Sequence, residues 1–357
     1  HGFGKLWKRA WGMNKMRFHD IPAADRLAIY KNVENKTGIP DFAVEKDWWV
    51  VQTLKVIFEM GIAEHLVFKG GTSLSKAWKL IDRFSEDVDF AVDRRFFGYS
   101  GELSKKQLTK LRKETSSYIS GEFYTELQER FKKKGFEGVD FNIVPAESSD
   151  QDPRIIEIYY PYITKSPGYI QPRVQVELGC RSLREPFDVK PISSFVDEQY
   201  PDAEFVEPPV SVPSVTPERT FLEKLFLLHE EFQRPKEKIR VDRLSRHLYD
   251  IFQLSKTEFA TNAIHDQGLY ETIVNHRFVF TKLGGVDYNF HQPQHIRPIP
   301  SSKFEEAWRS DYRTMQEQMI YGDSPSYEKL VQGIQAFLKK MNALDWKMGM
   351  EFPLPKS

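Results

Sequence analysis

The spacing of apolar residues changes along the chain from helical to alternating and back to helical, and the elements it predicts follow that order. Between residues 22 and 62, Ala23, Leu27 and Tyr30 recur at helical spacing, and Trp48 to Met60 carries a second apolar face. The run His65-Leu66-Val67-Phe68-Lys69 reads as a strand that stops at Gly70-Gly71. A helix is expected from Thr72 or Ser73, with Leu74, Ala77, Trp78 and Ile81 on its buried face. From Asp87 to Val92 the period becomes two: Asp87, Asp89 and Ala91 share one face, and Val88, Phe90 and Val92 the other. A long polar helix should run from about Ser104 to Lys134 and end at Gly135. Three strand-like runs follow, Asp140 to Val144, Ile155 to Tyr160 and Arg173 to Leu178; the last sets Arg173, Gln175 and Glu177 against Val174, Val176 and Leu178.

Residues 181–216 are rich in proline, with Pro208, Pro209 and Pro213 close together and Pro217 just beyond, and read as a connector. Amphipathic helices are expected over Glu218 to Phe232 and Asp242 to Leu254. A later helix uses Phe304, Trp308, Tyr312, Met315 and Met319 and stops at Gly322; Ser324 and Pro325 then supply an N-cap and first-turn pair for a last helix through Leu338. The pattern predicts an α+β chain: a mixed β-sheet flanked by helices, then a mostly helical C-terminal domain. The expected division is an N-terminal helical segment (1–62) packed on an α/β core (63–210), with a helical domain (211–357) completing a cleft.

Composition narrows the chemistry only a little. With 357 residues, 40% hydrophobic and 14% aromatic, the chain can bury a substantial core. Basic and acidic residues balance at 51 each, so net charge gives no support for a nucleic-acid partner and any such surface must be local. Cys180 is the single cysteine, which excludes an internal disulfide and a cysteine-rich zinc site. No apolar run is long enough to cross a bilayer and no signal-peptide pattern is present, so a cytoplasmic protein without membrane partners is expected, monomeric by default.

Three features carry candidate chemistry. A strand, then Gly70-Gly71-Thr72-Ser73, then a helix lets the backbone approach an anion closely, with two hydroxyls as further donors; alone, such a feature is more often an ordinary turn. Asp87 and Asp89 lie on one strand face about 6–7 Å apart, a spacing that suits two carboxylates sharing a divalent cation, although a solvated strand face looks the same. Glu177 stands on another alternating strand and completes a carboxylate triad if the two strands share a sheet.

Together these segments resemble the nucleotidyltransferase superfamily of the DNA polymerase β type. Phe68-Lys69-Gly70-Gly71-Thr72-Ser73-Leu74-Ser75-Lys76 with Arg83-Phe84-Ser85-Glu86-Asp87-Val88-Asp89-Phe90 is similar to the AbiEii/AbiGii toxin family, of which the mycobacterial MenT toxins are relatives. The similarity continues through Pro217-Glu218-Arg219-Thr220-Phe221-Leu222-Glu223-Lys224 and Arg243-Leu244-Ser245-Arg246-His247-Leu248-Tyr249-Asp250-Ile251, and more faintly through Trp308 to Tyr312 and Met319 to Gly322. His247 departs from the aspartate that many members carry there.

The resemblance implies a Mg²⁺-dependent (alternatively Mn²⁺-dependent) nucleotidyltransferase of a toxin–antitoxin or abortive-infection system. Its substrate would be a nucleoside triphosphate and its acceptor an RNA, above all a tRNA 3′ end, with an antitoxin as cognate partner. Asp87 and Asp89 would hold the metal. Lys69, Gly70, Gly71, Thr72, Ser73, Ser85, Lys224, Arg243 and Arg246 would bind the nucleotide, and Glu177 or Asp250 would activate the acceptor hydroxyl. The basic residues Arg234, Lys236, Lys238, Arg240, Arg243 and Arg246 crowd one stretch, and Lys105, Lys106, Lys110, Arg112 and Lys113 another; either is an RNA-backbone contact or a solvated surface. Transfer of a nucleotide or phosphate to a protein side chain, and a nucleotide-binding regulatory module without turnover, are the alternatives.

Overall fold

The computed structural model describes residues 16–85, 87–166, 171–182 and 184–355. The N-terminal part opens with two helices, α1 (Ala23–Thr37) and α2 (Asp41–Ile57), separated at Gly38, which takes φ +75° and ends α1. Helix α2 is buried almost all round, including the charged triplet Glu45, Lys46 and Asp47. Each of these charges has a partner, as burial demands. Glu45 accepts from the Ile163 and Thr164 amides at 2.9 and 3.0 Å, Lys46 Nζ donates to the Gln171 carbonyl at 3.1 Å, and Asp47 pairs with Lys76 at 2.7 Å.

The strands are β1 (Leu66–Lys69), β2 (Asp87–Val92), β3 (Asp140–Ile143), β4 (Arg154–Tyr159), β5 (Arg173–Gly179), β6 (Phe187–Ile192) and β7 (Val210–Val215). They form one mixed sheet in the order β3-β4-β5-β2-β1-β7-β6. At its centre β2 runs antiparallel to β1 and parallel to β5. Between the strands lie α3 (Gly70–Lys76), α4 (Lys105–Tyr118), α5 (Tyr124–Lys133) and α6 (Phe195–Gln199). The long polar helix is present as α4 and α5 joined through one π-helical segment at 119–123; Ser104 and Gln107 form a capping box at its start.

Two expectations need correction. The proline-rich stretch 181–216 is not a connector, because it contributes β6 and β7. Pro191 is tolerated because β6 is an edge strand, where a missing N–H costs no ladder bond inside the sheet. Strand β7 therefore straddles the expected boundary at 210/211, and the sheet extends to Val215. Helix α3 starts at Gly70 and stops at Lys76, so Trp78 and Ile81 lie beyond it; Lys79, at φ 53°, breaks the helical path.

The remaining helices are α7 (Pro217–Glu231), α8 (Ser245–Leu254), α9 (Glu258–His265), α10 (Gln267–Phe280), α11 (Glu305–Gln318) and α12 (Tyr327–Asn342). Helices α9 and α10 were not among the expected elements, and the cap of α12 is Ser326 rather than Ser324, its side chain accepting from the Lys329 amide. Apolar side chains gather in two cores. One lies among α1, α2, α5 and the sheet; the other joins Leu74 and Ile81 to α7–α12. Leu74 and Ile81 belong to the chain between β1 and β2, so this second core clamps the helical part onto the turn that the candidate site uses.

Candidate active site

The antiparallel register of β1 and β2 sets Lys69 opposite Asp89, which brings the Gly-Gly turn against the acidic pair. Gly70 has φ +81°, and a Cβ there would lie 2.2 Å from Asp89 Oδ2. Both the backbone angle and the space require glycine. A Cβ on Gly71 would lie 2.6 Å from Arg83 Nη2 and 2.8 Å from Ser85 Oγ. Thr72 Oγ1 donates to the Asp87 carbonyl, tying the start of α3 to β2. Turn and strand are thus one packed unit, with Arg83 and Ser85 filling the space the missing side chains leave.

Strand β5 completes the acidic face. Its parallel register sets Glu177 beside Asp89 and Gln175 beside Asp87, and Gln175 Nε2 donates to Glu177 Oε1 at 3.0 Å. Burial, aggravated by Asp89, raises the Asp87 carboxyl above its ordinary value, although Arg246, Lys46 and Arg173 pull the other way. Glu177 is pushed up to about 7 by burial and by its neighbours Asp89 and Asp87, with Lys69 opposing. Beyond burial, the neighbouring carboxylates raise the proton affinity of Asp87 and of Glu177, and a cation would relieve that repulsion. Among the described residues no three acidic, histidine or cysteine side chains already enclose a metal-sized point. The donor set nevertheless fits Mg²⁺, which binds through one or two carboxylates and takes its other ligands from water and substrate phosphates.

Opposite this face, α7 and α8 supply a cluster of cations around one buried carboxylate. Asp250, fully buried, receives Arg83 Nε on Oδ1 and Nη2 on Oδ2, both at 2.7 Å, and Lys224 Nζ on Oδ2 at 3.0 Å. Burial alone would raise Asp250, but Arg83 and Lys224 hold it far below the usual carboxylate range. His247 lies 3.4 Å from Lys224 Nζ; burial, and then Lys224, keeps its imidazole neutral. Arg246 bridges the two groups, with Nη1 3.9 Å from Asp87 Oδ2.

Arg243 is not on α8 as the periodicity suggested. It precedes the helix at φ 58°, a left-handed conformation unusual for arginine. Asp311 of α11 fixes this turn, accepting from the Arg243 amide at 2.8 Å and the Ser245 amide at 2.9 Å.

Asp87, Asp89, Glu177, Lys69, Gly70, Gly71, Ser85 and Arg246 therefore surround one acidic face, with Lys224 and Asp250 joined to it through Arg83. Two expected contacts do not fit. Ser73 is buried, 1% exposed, and Thr72 is committed to the Asp87 carbonyl, so their hydroxyls support the turn rather than line it. Asp250, saturated by two cations, suits holding Arg83 and Lys224 in place and not taking a proton from an acceptor. Three residues escaped the sequence reading: Arg83, Asp311 and Lys46. Lys46, buried in α2, feels the charge of Asp87, and burial pushes its ammonium down to about 7. The signal for Lys46 was available, since a Glu-Lys-Asp triplet interrupts an apolar helix.

No curated protein matches the sequence. The chain is similar to the solved structure of MenT4, a nucleotidyltransferase toxin of Mycobacterium tuberculosis H37Rv, at 15% identity and TM-score 0.43, over 88% of this chain and 98% of that one. It is also similar to JHP933 from Helicobacter pylori, at 17% identity and TM-score 0.34, over 81% and 90% of the two chains. A family model described as "Nucleotidyl transferase AbiEii toxin, Type IV TA system" matches residues 54–345, which span the turn, the acidic strands and both cation-bearing helices. The chain belongs to the AbiEii family of nucleotidyltransferase toxins.

Proposed function

We propose that the protein transfers a nucleoside monophosphate from a nucleoside triphosphate to the terminal hydroxyl of an RNA, foremost a tRNA 3′ end. The observation that carries this reading is the register Lys69–Asp89–Glu177 across β1, β2 and β5, which sets a glycine turn, an acid pair and a third carboxyl side by side. Asp87 and Asp89 would hold the divalent cation, Mg²⁺ or Mn²⁺, which when bound supplies Lewis-acid stabilisation of the phosphoryl oxygens. Lys69, the Gly70-Gly71 backbone and Ser85 receive the triphosphate. Arg83, Lys224, Arg243 and Arg246 balance its charge, with Asp250 orienting the first two. Glu177, poised at about 7, accepts the proton of the attacking hydroxyl. The hydroxyl oxygen bonds to the α-phosphorus, the bond from that phosphorus to the bridging oxygen breaks, and pyrophosphate leaves. Most of the acceleration then comes from positioning and fixed charge.

Among the described residues no helix is long and apolar enough to cross a membrane. We place the reaction in the cytoplasm, performed by a monomer and restrained by a cognate antitoxin. Incubation with α- or γ-labelled nucleoside triphosphates, Mg²⁺ and either total tRNA or cell extract tests the reading. α-Label on RNA is the expected result. α-Label on protein would replace RNA transfer by protein nucleotidylation, and γ-label by kinase action.

A further inference from the structure

The basic stretch between α7 and α8 reaches beyond the site just described. Over 234–246 it carries Arg234, Lys236, Lys238, Arg240, Arg243 and Arg246 against Glu237 and Asp242, in a chain of zero net charge. Its first part is pinned by a buried carboxylate. Glu231 accepts from Arg234 Nη1 at 2.9 Å, from Arg240 Nη2 at 2.7 Å and from the Arg240 amide at 2.7 Å. Glu231 lies seven residues after Lys224, hence on the same side of α7 and about 10.5 Å farther along it. At the other end, Arg246 lies 3.9 Å from Asp87. The stretch is therefore a run of cations leading from the end of α7 to the catalytic acids. Lys236 and Lys238 are exposed and form no ion pair among the described residues.

Beside this run is a cavity of about 780 Å³, with Phe232 and Ile239 on one wall and Phe290, His295, Arg297 and Phe304 among the residues of the others. Phe290 is 51% exposed, and its ring centroid is 5.8 Å from that of His295. One buried histidine sets both sides of the mouth: His229 Nε2 donates to the Phe290 carbonyl at 3.0 Å, and its Nδ1 accepts from the Arg297 amide at 3.1 Å. The Arg297 guanidinium is exposed without an ion-pair partner among the described residues. The groove thus presents aromatic faces to solvent beside three exposed cations, Lys236, Lys238 and Arg297, that form no ion pair among the described residues. A single-stranded nucleic acid matches both features, with bases that stack and phosphates that pair. An acidic peptide would satisfy only the cations.

We propose that this groove receives an unpaired segment of the acceptor RNA upstream of its reacting end, with a base stacked on Phe290 and phosphates along Lys236, Lys238, Arg297 and the run toward Arg246. The proposal rests on the RNA-acceptor reading above.

The test uses the full-length protein and a labelled single-stranded RNA of about a dozen nucleotides, titrated between 50 and 200 mM salt. Phe290→Ser should weaken binding on the order of tenfold and leave the salt dependence unchanged. The double variant Lys236→Gln/Lys238→Gln should instead flatten the slope of log K against log salt by about 1.4, from two lost phosphate contacts. Nucleoside triphosphate binding and the melting temperature, measured on the same variants, should stay at wild-type values. A Phe290→Ser protein that binds and labels RNA as the wild type does would overturn the groove alone. A wild-type protein that binds no RNA while transferring label to protein would overturn the acceptor reading, and the groove with it.

Discussion

The two sides of the cleft carry aspartates in opposite electrostatic states. On the sheet side, Asp87 is raised by burial and by Asp89, and Glu177 reaches about 7 through burial and then through Asp89 and Asp87 on the same face. On the helical side, Asp250 is more deeply buried, yet Arg83 and Lys224 hold it far below its ordinary value. Burial raises a lone carboxyl and spares a paired one. The helical side thus carries its counter-ions within the fold, whereas on the sheet side the proposed reaction would bring them with the substrate. The two also respond oppositely to pH. Asp250 stabilises the fold at all pH above its unfolded value of 3.8 and loses that contribution only as pH falls below it. Glu177 binds its proton more tightly folded than unfolded, so it costs stability as pH rises from 4.5 through about 7.

The same substitution on the two sides should therefore have different consequences. Asp89→Asn removes a carboxylate proposed to bind the metal and should reduce label transfer by about 100- to 1,000-fold, the range seen when a transition-state charge partner is lost. Its thermal midpoint at neutral pH should be equal to or above wild type, since a repulsion is relieved. Substantial transfer by this variant would break the metal assignment.

Asp250→Asn should do the reverse. It leaves two buried cations short of their partner, and breaking such a pair costs about 3–5 kcal/mol. Denaturant unfolding should show that loss, together with impaired transfer because Arg83 and Lys224 are no longer held. A variant as stable as wild type would mean that Asp250 is not the anchor its geometry implies.

Divalent cations give the next largest effect. Mg²⁺ should raise the thermal midpoint of the wild type, and more at pH 8 than at pH 5, because protons compete for Glu177 and Asp87 across the window up to about 7. Asp89→Asn should flatten this dependence. Glu177→Gln should lower transfer, remove the pH-rate limb near 7 and stabilise the ion-free protein at pH 8 by on the order of 1 kcal/mol. An unchanged limb in that variant would assign the proton transfer elsewhere.

The sheet side was far more legible in the sequence than the helical side. Period-two alternation put Asp87 and Asp89 on one face, and the Gly70-Gly71 turn announced a close approach, because both signals are local. Glu177 needed one further fact, that β2 and β5 are neighbours, which the alternation of both strands made a natural expectation. The helical side depends on long-range partners. Arg83 and Asp250 are 167 residues apart, and nothing near Arg83 names its partner. Strands β6 and β7 were missed because their prolines read as linker, although an edge position accommodates Pro191. Arg243 was assigned to α8 because its spacing from Arg246 and Asp250 is helical; the backbone turns left-handed there because Asp311, 68 residues away, holds the amide.

That turn provides the smallest test of the contrast between the sides. Arg243→Gly keeps the left-handed backbone, which costs a non-glycine residue about 1–2 kcal/mol, and removes the side chain with its guanidinium. Stability should therefore change by no more than about 1 kcal/mol, the relieved strain offsetting the added freedom of glycine in the unfolded chain. Transfer should fall mainly through a higher KM for the nucleoside triphosphate. Arg243→Ala should show the same KM with lower stability, because alanine retains the strain. Equal stabilities for the two variants would mean that Asp311 alone sets the turn; a wild-type KM in both would remove Arg243 from the cations that meet the substrate and leave Arg83, Lys224 and Arg246 to balance its charge.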